Sequence, residues 1–349
     1  MKLTKLLPLL LVASLTACAG ESYSSKYDKL FAFGTFVSIE MKIKNDHTGK
    51  EALNEVMNRL KAIDEIADAT RQREKTNVWS LNQTNEKLEI SEELYYLLAR
   101  ANELHKSLEY FNPLIGSLSN KWKTALNLAE EENREPTILT DDVIQEELAK
   151  INSSELILEE TEQAFYAQRK GEALIDLGAL AKGYALDKCL EYLNNRTGHN
   201  GDYLINAGDS SVLLGRNTSR IRVWKSRDYE EGVYVVRVTD IRNYQNLRIF
   251  NSFVSTSGIS NQKAIVDGKT YSHIINPITG YAISNYDQIT VVGGDGWSNG
   301  SLGDALSTSL MMANDENEIK KIENKYEVKV IAIKDGKIAY LNEGLSLYF

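Results

Sequence analysis

Cysteine is nearly missing, at two in 349 residues. That excludes a disulfide-braced scaffold and any cysteine-rich metal site. Histidine is scarce at four, so any imidazole chemistry must come from His47, His105, His199 or His273. Basic charge is outweighed, with 40 Lys and Arg against 49 Asp and Glu, a net charge of −9. A protein that grips nucleic acid through a basic surface is thereby excluded. An acidic chain that binds a polyanion needs a local offset, either a metal ion or a well-placed lysine. Internal repeats and low-complexity tracts are also missing. What remains, 42% hydrophobic and 26% charged residues, is the composition of a globular protein rather than a disordered or fibrous one. The length allows one large domain or two smaller ones.

The first residues read as an address. Lys2 and Lys5 precede an apolar run, 6–17, too short to span a bilayer and suited to an export signal. It ends in Leu15-Thr16-Ala17-Cys18, which resembles the bacterial lipobox, with Cys18 lipidated as the mature first residue. The alternative is a plain signal peptide that carries a cysteine. The expected organisation is a lipoprotein-type signal peptide at 1–17, a lipidated polar tether at 18–29 and one domain at 30–349. The product is expected in the cell envelope, anchored to a bacterial membrane and facing outside the cytoplasm.

Periodicity gives the elements. Residues 33–43 alternate, with Val37, Ile39, Met41 and Ile43 on one face, which predicts a half-buried strand. Leu53, Val56, Met57, Leu60, Ile63 and Ile66 predict a helix over 49–70. A second helix is expected at 91–110, capped by Ser91 with Glu92 and Glu93 in its first turn. Residues 123–136 read as an exposed connection, 140–151 as a short helix, 156–158 and 164–168 as strands, and 178–194 as a helix. Cys189, at helical spacing from Leu186, Leu190 and Leu193, is expected to be an inert core thiol. Short strands fill 203–292, a helix covers 304–313, and 328–341 form a hairpin through Asp335-Gly336. Blocks of helices and antiparallel-looking strands make the class α+β.

Four segments carry composition that packing alone does not demand. In DLGALAKGYALDK, 176–188, an apolar strand end leads through Asp176 and Gly178 into a helix whose free N–H groups suit an anion, with Lys182 in reach. The same residues also fit a capped amphipathic helix with a solvated lysine. In GDALSTSLMMA, 303–313, Asp304 and Thr308 are four apart and share a helix face, offering hard oxygens suited to Mg²⁺. Asp304 equally fits a simple helix charge. In YSHIINPITGY, 271–281, turn residues fix the backbone around His273, which fits a general base near neutral pH or a histidine bonded to its own turn. The other three histidines carry no such context. LINAGDSSVLLG at 204–215 and VSTSG at 254–258 are strands ending in small residues, which leave room for a ligand.

The order FGTFVSIE, FNPLIGSLSNKW, DLGALAKGYALDK, LINAG, VSTSG, HIINPITGY and DALSTSL resembles the FAD:protein FMN transferases, the ApbE family, collinearly from about Phe33 to Ala313. The resemblance implies mixed and antiparallel sheets with packed helices, in two subdomains flanking a central FAD cleft. It implies Mg²⁺-dependent transfer of FMN from FAD to a threonine of an exported acceptor flavoprotein, with release of AMP. By the same resemblance Asp304 and Thr308 are metal ligands together with the Ala179 carbonyl. Phe33, Ile115, Gly116, Asp176, Lys182 and Ile275 fall on FAD-contacting positions, and His273 is the base. An FAD pyrophosphatase and a non-catalytic flavin-binding lipoprotein are the alternatives.

Five places depart from the family pattern. Phe33 stands where Met is usual, which is expected to alter affinity. Asn276 replaces the aspartate of His-x-x-Asp-Pro, which is expected to change how the turn orients His273. Asp209 replaces a glycine, which is expected to crowd the flavin. The stretch 259–262 lacks the usual aromatic and charged residues, and no aromatic contact is matched around 70–82.

Overall fold

The computed structural model describes residues 22–128, 134–195, 198–208, 210–215, 220–224, 233–240, 245–246, 252–260, 262–293 and 299–348. The expected signal segment, Cys18 and Asp209 lie outside the described residues. Strands β1 (Tyr23–Ala32) and β2 (Thr35–Lys44) open the fold. Then come α1 (His47–Ala67), α2 (Val78–Asn82), β3 (Leu88–Ile90), α3 (Glu92–Ser107), α4 (Gly116–Ala125), α5 (Asp141–Asn152), β4 (Glu155–Glu160), β5 (Phe165–Lys170) and α6 (Ala181–Asn194). A strand-rich stretch follows with β6 (His199–Ala207), β7 (Ser211–Leu214), β8 (Arg220–Trp224), β9 (Val233–Asp240), β10 (Gln245–Asn246), β11 (Ser252–Gly258), β12 (Lys263–Val266), β13 (Lys269–Ser272) and β14 (Gln288–Val292). The chain closes with α7 (Gly300–Leu310), α8 (Glu316–Tyr326), β15 (Lys329–Lys334), β16 (Lys337–Leu341) and β17 (Leu345–Tyr348).

Eight strands form one sheet in the order β1-β2-β6-β7-β11-β14-β15-β16, with antiparallel neighbours throughout. Helices α1, α6 and α7 pack on one face. On the other face Leu214, Val254, Val292, Ile331 and Ile333 meet Val223, Val236 and Leu345 of the small β8, β9 and β17 sheet. Strands β14 and β15 are thus covered on both sides and read as continuous apolar runs. In β2, by contrast, Val37, Ile39, Met41 and Ile43 are buried and the residues between them are not, as alternation predicts. A three-stranded sheet, β3-β5-β4, stands apart near α2 and α3. Helices and antiparallel sheets segregate, so the fold is α+β.

Several expectations need correction. Residues 23–29, expected in a polar tether, lie in β1, which pairs with β2 from Tyr23↔Lys44 to Ala32↔Thr35. As an edge strand β1 has, among the described residues, one strand neighbour to bury against; its sole buried residues are Leu30 and Ala32, so it shows no apolar alternation. Phe33 is not in the strand but in the turn before it. The connection expected at 123–136 begins as the end of α4, with Trp122 buried just before it. Helix α7 starts at Gly300 rather than Asp304, capped by Asn299, whose side chain accepts from the Leu302 N–H. Because α7 is buried almost all round, polar periodicity does not mark its start. Helices α2 and α8 were not expected either. Elsewhere periodicity held. Ser91 caps α3 through the Leu94 N–H, and Asp335-Gly336, both with positive φ, turn the final hairpin. Cys189 is fully buried, and burial pushes its thiol up to about 12, an inert group.

Candidate active site

A cavity of about 490 Å³ is bordered by Phe33, Ile115, Asp176, Ala179, Lys182, His273, Ile275 and Thr308. These residues come from five separate stretches of chain. A second cavity of about 960 Å³ adjoins it, with Gly116 in its wall. Asp304 borders neither: it lies behind Thr308, on the turn of α7 before it, and is 6% exposed.

Phe33 reaches the cavity because β1 and β2 close with a two-residue turn, Phe33 at φ 54° and Gly34 at φ 70°. Paired left-handed residues match the twist of a hairpin, but an aromatic side chain in that region is strained. A tether offsets the strain, since the Phe33 N–H donates to Asp64 Oδ1 of α1 at 2.6 Å. Asp64 was missed by sequence reasoning, and no local pattern singles it out.

The stretch before Asp176 is held from two sides. The Asn82 side chain donates to the Ile175 carbonyl and accepts the Ile175 N–H. On the other side the Gly116 N–H donates to the Leu174 carbonyl, and the Asp176 N–H donates to the Pro113 carbonyl. A Cβ on Gly116 would meet the Leu174 oxygen at 2.8 Å, so Gly116 serves close packing as well as lining. Asp176 Oδ1 accepts the Gly178 N–H at 2.8 Å. The turn thus caps itself, and α6 begins only at Ala181. Lys123, placed in a connection by the sequence reading, sits in the last turn of α4. Its Nζ lies 3.9 Å from Asp176 Oδ2.

Asp304 is seated by tertiary contacts. Its Oδ2 accepts the Gly183 N–H and its Oδ1 the Ser211 hydroxyl, both at 2.7 Å. Burial raises its pKa, and the charge of Lys182 opposes that shift. Thr308 Oγ1 lies 2.9 Å from the Ser257 hydroxyl of β11. Asp187 of α6 fixes the start of α7, accepting the Gly300 and Ser301 N–H groups at 2.5 and 2.9 Å. Burial raises Asp187 to about 6. Arg100 of α3 completes the clamp on Asn299 and Ser301. One buried carboxylate, one hydroxyl and the Ala179 carbonyl are hard oxygen donors of the kind Mg²⁺ takes alongside phosphate and water. Among the described residues no cluster of three His, Cys, Asp or Glu gathers for a metal, so such an ion would draw on these oxygens. The donor set fits.

His273 Nδ1 lies 3.2 Å from the Gln262 carbonyl. A carbonyl only accepts, so that contact puts the proton on Nδ1 and leaves Nε2 as a free acceptor. Burial lowers the imidazole pKa; Lys123 and Lys182 lower it further, while Gln262 and Asp176 act against them. The turn whose hold on His273 was expected to change without its aspartate is closed by Asn276 itself. Asn276 Oδ1 accepts the Ile278 and Thr279 N–H groups, and the Asn276 carbonyl accepts the Gly280 N–H. An amide oxygen here does the work of a carboxylate. The other histidines are bonded locally: His105 to the Phe111 carbonyl, His199 to the Leu193 carbonyl, and His47 to Glu51.

A model described as the ApbE family matches residues 33–332. A Klebsiella pneumoniae (strain 342) protein named FAD:protein FMN transferase is 28% identical over 207 residues, which cover 59% of this chain and 60% of that protein. A Treponema pallidum (strain Nichols) protein of the same name is 24% identical over 286 residues, 79% of this chain and 76% of its own. Among solved structures, the ApbE protein from Thermotoga maritima superposes with a TM-score of 0.70 at 22% identity, covering 92% of this chain and 97% of that one. The flavin transferase ApbE from Vibrio cholerae gives 0.69 at 21% identity, covering 93% and 98%. The solved structures share the fold of this chain.

Proposed function

Because the chain belongs to the ApbE family, we propose that it transfers FMN from FAD to a threonine hydroxyl of an exported flavoprotein and releases AMP. The observation that carries this reading is the single cavity that gathers His273, Asp176, Lys182, Ala179 and Thr308, with Asp304 behind it.

The acceptor hydroxyl attacks the FMN phosphorus. A P–O bond to threonine forms, the anhydride P–O bond breaks, and AMP leaves with the electron pair. His273 Nε2 takes the hydroxyl proton, and its Nδ1–H bond to Gln262 keeps the ring in the accepting tautomer. Lys182 borders the cavity with its ammonium available to the pyrophosphate. Asp304, Thr308 and the Ala179 carbonyl would hold Mg²⁺, which when bound neutralises phosphate charge and eases departure of AMP. Ser211 and Gly183 orient the Asp304 carboxylate for that role.

The test is incubation of the protein with FAD, Mg²⁺ and a threonine-bearing acceptor flavoprotein, followed by intact mass. Addition of FMN to the acceptor supports the reading. Free FMN and AMP with an unchanged acceptor identify a hydrolase, and bound but intact FAD identifies a binding protein. We also infer from the lipobox that Cys18 anchors the protein to a membrane outside the cytoplasm. Cys18→Ser should move it from the membrane to the soluble fraction, and unchanged partition would overturn the anchor.

A further inference from the structure

The two cavities share six bordering residues, Phe33, Lys123, Asp176, Gly178, Lys182 and Gln262. A dinucleotide has its pyrophosphate between its two nucleoside halves, so in adjoining cavities the phosphates fall at the common wall. That wall carries two lysines and one carboxylate. Lys123 has no evident folding role there, because its ion pair with Asp176 is long and half-exposed, a type that adds little stability. Its backbone, however, is fixed. The neighbouring Trp122 donates from Nε1 to the Gly280 carbonyl at 2.8 Å and stacks on Tyr271. This locks the end of α4 to the segment that bears His273.

We infer that Lys123 is a substrate-binding residue that, with Lys182, brackets the dianionic pyrophosphate of FAD where the two cavities meet. The inference rests on the transferase reading above. Phosphate oxygens replace Asp176 as the partner of Lys123 when FAD enters, and a charge-assisted bond replaces a long ion pair. The same ammonium faces His273 together with Lys182 and Asp176. Lys123 therefore also helps to keep the imidazole neutral.

The experiment compares the full-length protein with Lys123→Met, Lys123→Arg and the control Lys121→Met, whose side chain pairs with Glu147 outside the cavity. Transfer is measured against FAD concentration and pH. For Lys123→Met the KM for FAD should rise roughly tenfold, the change expected for one lost charge-assisted contact. The acidic limb of kcat/KM should also move to higher pH, because removing a cation raises the His273 pKa. Lys123→Arg should restore the limb, and Lys121→Met should change neither quantity. A wild-type KM and pH limb in Lys123→Met would overturn the inference. Absence of transfer by the wild-type protein would instead overturn the transferase reading. Titration of FAD against the same variants still decides the lysine in that event: equal affinities refute it, and weaker binding by Lys123→Met alone supports it.

Discussion

At the residue scale the site depends on how few atoms each group has left for substrate. Asp176 uses one oxygen on its own turn, each Asp304 oxygen accepts one hydrogen bond, from Gly183 or Ser211, and keeps a lone pair for a metal, and His273 uses Nδ1 on Gln262. Nε2 of His273 remains for the acceptor proton. Removing it by His273→Ala should slow transfer by about 10²–10⁴-fold with little change in FAD affinity, measured by single-turnover transfer and flavin binding. The pKa of His273 is below its ordinary 6.5, so its neutral form is already present at neutral pH. The rate should climb as pH rises through that lowered value and be flat from there through neutrality. A limb centred above 6.5 would show that another group supplies the base. His273 and its turn were legible in sequence because Asn276, Pro277 and Gly280 set the backbone locally. How Asn276 closes the turn was not legible, because a missing carboxylate is visible in sequence, whereas the oxygen that stands in its place is visible only in the folded turn.

Elements are positioned by contacts that cross the chain. Helices α6 and α7 touch backbone to backbone, and a Cβ on Gly183 would meet the Gly300 carbonyl oxygen at 2.1 Å. Gly183→Ala must push α7 away and disturb the N–H that orients Asp304. We expect a loss of about 1–3 kcal/mol, as for overpacking, seen as a lower unfolding midpoint together with weaker transfer. Unchanged stability would show that the helices yield freely. Asp187 provides the second clamp. Asn at this position offers one acceptor for two N–H groups, so Asp187→Asn should cost about 1–3 kcal/mol. Because the folded pKa of Asp187, about 6, exceeds its ordinary 3.8, the folded state holds the proton more tightly. Its share of stability is full below 3.8, falls as pH rises to about 6, and is flat above. The Asn variant should lack that slope in unfolding measured from pH 4 to 7. Helices α1, α3 and α6 were legible because they bury one face, while α7 is buried almost all round and its start was placed a turn late.

On the scale of the whole molecule, the large sheet joins the first strand to the last hairpin. Among the described residues strand β1 pairs with β2 alone and closes that edge. Deleting residues 1–32 should expose the β2 edge, lower the unfolding midpoint and promote aggregation; deleting residues 1–21 should leave the midpoint unchanged. Equal stability of the two truncations, measured by thermal unfolding, would restore the tether reading for 23–29. Covered on one face by helices and on the other by the small sheet, the central strands give Phe253, Val254, Val291 and Val292 their burial.

The family resemblance supplied Phe33, Ile115, Asp176, Ala179, Lys182, His273, Ile275 and Thr308, which border the cavity. Sequence alone determined the class of the fold, the strand at β2, the cap of α3 and the final hairpin. Each of these depends on spacing within a few residues, where helix and strand periods and turn chemistry act directly. Tertiary structure alone decided that β1 is a strand and that Lys123 enters the cavity. It also decided that Asp64 holds Phe33, and that Asp187 and Gly183 seat the helix bearing Asp304. Those outcomes join residues as far apart as Gly183 and Asp304, where burial and unpaired N–H groups select the partner and no local period records the choice.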